Sequence, residues 1–238
     1  MKKFKKFIIP ALIILLVIIL LIIFLRPKHV SLNSDANKLE NLAGGSAQAQ
    51  SYSTSKVPAF KKDDMIFGDK NAALKIFVYE DNSSLYSAQL ADTLDKLNVD
   101  FPDKLAIIVR PFVAKKNNLA AESALAIECA GDQGKWTAMR ALLFAKAKNS
   151  NVNEAEFGAY ATEIGLDQNT FTACLTNNEK SAKIEGLSAE AETYNVQGAP
   201  TIFIGDEMIL GARPYEDYVD SNGDNIEGMK TVVEKKLQ

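Results

Sequence analysis

The chain has little of the polar chemistry that many enzymes rely on. Its 238 residues include two cysteines, one histidine and one tryptophan. The histidine, His29, lies beside a long apolar run, so no Ser-His nucleophile pair can form in the part that folds. One histidine and two distant cysteines do not make a zinc set, and no metal or cofactor is expected. No basic cluster follows residue 28. Six of the 27 Lys+Arg residues lie in the first 28 positions, which hold no acid, leaving 21 against 30 Asp+Glu and a net charge near −9 beyond them. An acidic remainder of this kind argues against nucleic acid as a partner and against lying on anionic lipid. No internal repeat is present.

Long apolar runs are not lacking. Phe7 to Leu25 is nineteen residues without a charge. At 1.5 Å per residue it spans roughly 28 Å, about the hydrocarbon thickness of a bilayer. Lys2, Lys3, Lys5 and Lys6 precede it. This excess predicts a cytoplasmic tail over 1–6, a transmembrane signal-anchor helix over 7–25 and everything after Pro27 outside, giving a single-pass cell-membrane protein. A cleaved signal would have a shorter apolar core and a small-residue cleavage site, whereas this core ends in Leu-Arg-Pro-Lys. Residues 26–58, rich in Ser, Asn, Ala, Gln and Gly, read as a flexible linker. The folded domain is expected over 59–238, and nearly half of all residues are apolar, enough for a sizeable core.

Within the domain, Leu74 to Tyr79 reads as a buried strand. Asn82, Ser83 and Ser84 are suited to capping, and Leu90, Leu94 and Leu97 recur at helical spacing. Such a strand-to-helix junction exposes N–H donors and a positive dipole end, which suit a phosphate or a low-pKa cysteine. Neither a glycine-rich loop nor a cysteine stands there. Leu105 to Val113 reads as a second strand, about 25 residues on, so a βαβ unit is expected. A helical block follows: 119–130, 135–148, 153–164, a short helix opened by Asp167, and 180–194. Thr201–Ile204 and Glu207–Leu210 read as a hairpin turned at Gly205-Asp206. A last helix is expected over about 226–237.

Cys129 and Cys174 each sit inside an expected helix. Outside the membrane, two cysteines commonly pair, so a structural disulfide is expected, with two buried free thiols as the alternative. Asp220-Ser-Asn-Gly-Asp-Asn lacks the glycine step and closing glutamate of a calcium loop and reads as an acidic surface turn. Nothing selects a lysine that would activate Ser84 or Ser87.

The order βαβ, helical insertion, ββα resembles the thioredoxin fold of the DsbA-like family. The residues that carry the resemblance are Phe67-Gly68-Asp69-Lys70-Asn71-Ala72, Glu128-Cys129-Ala130 with Gln133-Gly134-Lys135-Trp136, Ala173-Cys174-Leu175 and Gly198-Ala199-Pro200-Thr201. The resemblance implies an α/β thioredoxin-like fold with a helical insertion over about 117–190, and a cis Pro200 facing the helix start at Ser84. It also implies a thiol–disulfide oxidoreductase site, Cys-x-x-Cys, where this chain has Ser84-Leu85-Tyr86-Ser87. A serine hydroxyl neither forms disulfides nor ionises near neutral pH. The family's buried glutamate, six residues before the first cysteine, corresponds to Val78.

The expectation is a domain without redox chemistry at this site. It keeps a groove of Ser84, Leu85, Tyr86, Ala199, Pro200 and Thr201 that binds extended or unfolded polypeptide, or an envelope protein partner, in a chaperone-like way. The alternatives are an oxidoreductase working through Cys129/Cys174 or a partner's thiols, and a structural module of an envelope complex.

Overall fold

A computed structural model of the chain describes residues 50–238. The expected tail, the apolar run 7–25 and the linker up to residue 49 lie outside the described residues. Among those described, no helix is long and apolar enough to cross a membrane.

Six strands form one mixed sheet: β1 (Ser51–Ser53), β2 (Met65–Gly68), β3 (Leu74–Glu80), β4 (Leu105–Pro111), β5 (Thr201–Ile204) and β6 (Glu207–Leu210). Their order is β1-β6-β5-β3-β4-β2. β3 and β4 run parallel and are joined through α1 (Leu85–Asp100); the other neighbours are antiparallel. β3 and β4 are covered on both faces, which is why each reads as a continuous apolar run rather than an alternating one.

One face of β3 carries Leu74, Ile76 and Val78 against Leu90, Leu94 and Leu97 of α1 and Met229, Val232 and Val233 of α7 (Met229–Lys236). Each such leucine contributes roughly 1.5–3 kcal/mol relative to an exposed one. The other face packs Phe77 and Tyr79 with Phe203, Ala191 and Val196. Between β4 and β5 lie α2 (Asn118–Asp132), α3 (Trp136–Ala147), a 3-10 turn (Glu154–Glu156), α4 (Phe157–Glu163), α5 (Gln168–Cys174) and α6 (Asn178–Thr193). Asn117, Asp167 and Asn177 cap α2, α5 and α6 with side-chain oxygens. The insertion has its own core, in which Phe157, Tyr160 and Phe171 pack on the alanine-rich face of α2. Gly68 ends β2 with φ +76, and a Cβ there would lie 2.4 Å from the Leu105 carbonyl oxygen, so only glycine fits.

Three stretches differ from the sequence expectation. Residues 26–58 are not all linker, because β1 pairs with β6, Tyr52 facing Met208. All three β1 residues are exposed, so backbone pairing and no apolar pattern makes this strand. β2 is a paired edge strand, not only a lead-in. The last helix starts at Met229, because Asn225–Ile226 (β8) pairs with Tyr218–Val219 (β7) in a small ribbon.

Arg110, on β4, is 1% exposed. It donates from Nε and Nη2 to the two Asp64 oxygens at 2.8 Å each, from Nη2 to the Ala59 carbonyl at 2.6 Å and from Nη1 to the Tyr79 hydroxyl at 3.3 Å. Its guanidinium also lies over the Phe77 ring. The segment leading into β2 is thereby fastened to the sheet. Burial pushes the Tyr79 phenol up to about 12, with the neighbouring Arg110 acting in the opposite direction.

Candidate functional site

The register of the sheet brings the proposed site residues to one end of it. Tyr79 pairs with Thr201, and β3 ends one residue later at Glu80. The Ala199-Pro200 peptide bond, directly before Thr201, is cis. α1 begins at Leu85, just beyond the same strand end. The Pro200 carbonyl accepts from Gly211 N–H at 2.8 Å, and the Thr201 hydroxyl donates to the Gly198 carbonyl at 2.7 Å. Ala199 is half-buried. Among the described residues neither its N–H nor its C=O is engaged in a hydrogen bond.

At the junction, Ser84 is the N-cap residue by backbone position (φ −90°, ψ 133°), but its hydroxyl makes no capping bond. This corrects the expectation that the serines cap the helix. The loop is held by Asp81 instead. Its carboxylate accepts from Ser83 N–H (2.8 Å), the Ser83 hydroxyl (2.6 Å) and Asn117 Nδ2 (3.0 Å). Its carbonyl accepts from Ser84 N–H at 3.0 Å. Its own N–H donates to the buried Ser87 hydroxyl at 3.1 Å. Ser87 is therefore a hydrogen-bond acceptor that closes the loop, a task for which a thiol is a weak acceptor. Leu85 is half-buried and Tyr86 exposed.

Val78 is fully buried among the core residues. A buried acid is nonetheless present. Glu80, two residues along the same strand face, is 4% exposed. Arg140 of α3 donates to both its oxygens at 2.7 Å, and Asn82 Nδ2 donates at 2.9 Å. The Arg140 guanidinium lies between the Phe67 and Phe144 rings, 4.9 and 4.7 Å from their centroids. Position 78 itself carries no acid, and the buried carboxylate of this corner is a different one, at Glu80. The carboxylate is there with both oxygens committed to a fixed cation, which removes the cost of burying it alone. Glu80, Asp81, Asn117 and Arg140 all escaped the sequence reading. The available signals were Glu80 closing an apolar strand and Arg140 among Met139, Leu142 and Leu143, an apolar stretch with a charge on its buried side.

Cys129 and Cys174 form a disulfide that links α2 to the end of α5. Cys129 is buried and Cys174 half-buried. The Cys174 sulfur sits 3.8 Å from an Asp132 carboxylate oxygen, and the other oxygen of that carboxylate accepts from Lys180 Nζ at 2.8 Å. Neither residue follows a strand or opens a helix: Cys129 lies within α2 and Cys174 ends α5.

On the site side of the sheet, beyond the end of β4, a depression of about 350 Å³ is lined by Phe112, Ala114, Lys115, Glu192, Asn195, Val196 and Gln197. Ser84, Leu85, Tyr86 and Pro200 are not among its walls. The acidic stretch 220–225 is the turn of the β7–β8 ribbon, where the Asp220 carboxylate accepts from the N–H groups of Asn222 and Asp224. No group of acids, histidines and cysteines suited to a metal occurs among the described residues.

The comparisons with known proteins agree with this architecture. A periplasmic thioredoxin-like protein from Salmonella enterica serovar Typhimurium is 24% identical; the match covers 73% of this chain and 90% of that one, with a TM-score of 0.58. Alpha-DsbA1 from Wolbachia pipientis is 16% identical over 74% of this chain and 92% of that one, also with a TM-score of 0.58. Among curated proteins, the Na(+)/H(+) antiporter NhaA 1 of Salinispora arenicola is 26% identical over 177 residues, 74% of this chain and 25% of that protein. The chain thus spans about a quarter of the length of the curated relatives it matches. A family model described as Thioredoxin matches residues 61–221, from the Asp64 anchor through the sheet, the insertion and the cis-Pro200 corner, and the chain belongs to the thioredoxin family.

Proposed function

We propose that this protein is a membrane-anchored, extracytoplasmic thioredoxin-fold module that binds extended polypeptide without thiol–disulfide exchange at the strand-to-helix junction. The observation that carries the reading is a cis-Pro200 corner with unengaged Ala199 backbone groups, beside a junction whose positions 84 and 87 hold serines. An open N–H and C=O at a sheet end can pair with an added strand. A serine pair cannot exchange disulfides. The apolar run 7–25 with its leading lysines supports the anchor, and the Cys129–Cys174 disulfide supports an oxidising compartment.

The test uses the full-length chain and a permanently unfolded, reduced and carboxymethylated polypeptide. Micromolar binding, unchanged by dithiol reductants and with no reduction of insulin, is the expected result. Absence of binding overturns the reading. Insulin reduction that disappears in Cys129→Ala would instead establish the oxidoreductase alternative.

A further inference from the structure

We infer that the depression beyond β4 is a side-chain subsite for the bound polypeptide, and that it selects an uncharged, apolar residue of leucine size. The inference rests on the peptide-binding reading above and adds a preference to it. The segment that leads to the unengaged Ala199 also supplies Val196 and Gln197 to the depression, three and two residues earlier. A strand added at Ala199 advances about 3.3 Å per residue and places alternate side chains on one face. It therefore carries a side chain to the depression within a few residues of the one paired with Ala199.

The chemistry of the walls sets the class of occupant. Phe112 and Val196, 6% and 1% exposed, form an apolar floor. Lys115 and Glu192 face each other across the rim at 3.9 Å. They answer each other's charge, so the depression offers no net sign for a charged side chain to meet. The exposed amides of Asn195 and Gln197 provide donors and acceptors for a passing peptide backbone. An apolar floor under a neutral polar rim suits one buried apolar side chain within an otherwise hydrated strand.

The experiment compares two fluorescein-labelled ten-residue peptides of alternating Thr and Ser, one with a single Leu scanned through its positions and one with Ala in its place. Binding to the full-length chain is read by anisotropy. The leucine peptide should bind roughly tenfold to a hundredfold more tightly at one or two scan positions, from the transfer of one leucine side chain out of water. Ala114→Trp and Gln197→Trp fill the depression from opposite walls. Both should bring the Leu-to-Ala ratio close to one, and Ala114→Trp should leave the alanine peptide's affinity unchanged. Circular dichroism checks that each variant folds, and the two variants stand in for each other. If the ratio survives in both tryptophan variants while Ala199→Pro abolishes binding of both peptides, the subsite is wrong and peptide binding stands. If the wild-type chain binds neither peptide nor the unfolded polypeptide, both fall together.

Discussion

Two buried arginines use the same chemistry for different ends. Arg110 and Arg140 each grip one carboxylate with two hydrogen bonds, and Arg110 lies over one aromatic ring, Arg140 over two. Arg110 takes Asp64, just ahead of β2, and fastens an entering segment to the sheet. Arg140 takes Glu80, the last residue of β3, and ties the helical insertion to the corner where the site lies. The same interaction is scaffolding in the first case and site architecture in the second. A buried ion pair is therefore best judged by what its acid is attached to. Glu80 takes a third hydrogen bond from a second partner, Asn82, and adjoins Asp81, the residue that holds the junction loop.

The sharpest way to break the comparison is to remove one partner of each pair. Arg140→Leu leaves Glu80 buried and uncompensated, and Arg110→Leu does the same to Asp64. Each should cost about 3–5 kcal/mol in urea unfolding. The double change Glu80→Leu with Arg140→Leu should recover most of that loss. Hydrogen exchange separates the two roles. Arg110→Leu should loosen residues 59–68, and Arg140→Leu residues 80–87 together with α3. Loosening of the same residues in both variants would remove the distinction.

The disulfide holds the insertion without touching the site corner. Cys129 and Cys174 close a loop of 45 residues. Replacing both by alanine should cost on the order of 4 kcal/mol in the chain-entropy model. Peptide affinity should change less than in Arg140→Leu once each variant is measured well below its unfolding midpoint.

Ser87→Ala removes the acceptor for Asp81 N–H and should cost about 1 kcal/mol. Ser87→Cys should cost nearly as much, because a thiol accepts poorly. Recovery of full stability by the cysteine would mean that position 87 is not specialised for a hydroxyl.

The smallest effect lies at the far end of the domain. The N–H of Gly228 donates to Asp217 at 2.8 Å. That bond, and then the Thr231 hydroxyl, hold the Asp217 carboxyl below its ordinary value. A lowered folded-state pKa means stabilisation that is complete above the unfolded value, about 3.9, and is lost as pH falls through the folded one. Amide protection at the start of α7 should therefore decline below about pH 4 in the wild type, and Asp217→Asn should show no such decline.

Much of the fold was legible in the sequence because its strands are buried on both faces and its helices keep leucine spacing. β3, β5, β6 and α1 stand where their patterns placed them, within a residue or so. What was not legible depends on partners distant in the chain. Ser51-Tyr-Ser has no apolar alternation, and only the free edge of β6 makes it a strand. Asn225 and Ile226 could extend a helix until Tyr218 and Val219 pair with them. At the site, the serines at 84 and 87 and the proline at 200 were picked out by the resemblance to the DsbA-like family. The Glu80–Arg140 pair was not, since 60 residues separate its members and nothing in either neighbourhood names the other.

The docking of β1 has a practical consequence for where the domain can be cut. Composition recommends starting a recombinant piece near Ala59, and such a piece would retain every residue of the apolar core. It would also lose the backbone bonds from Thr54 N–H to the Asp206 carbonyl and from Leu210 N–H to the Gln50 carbonyl, along with the β1 ladder itself. Glu207–Leu210 would then be a bare rim of donors and acceptors, open to a second molecule's strand. A piece begun before Gln50 should stay monodisperse at concentrations where the shorter one assembles edge to edge.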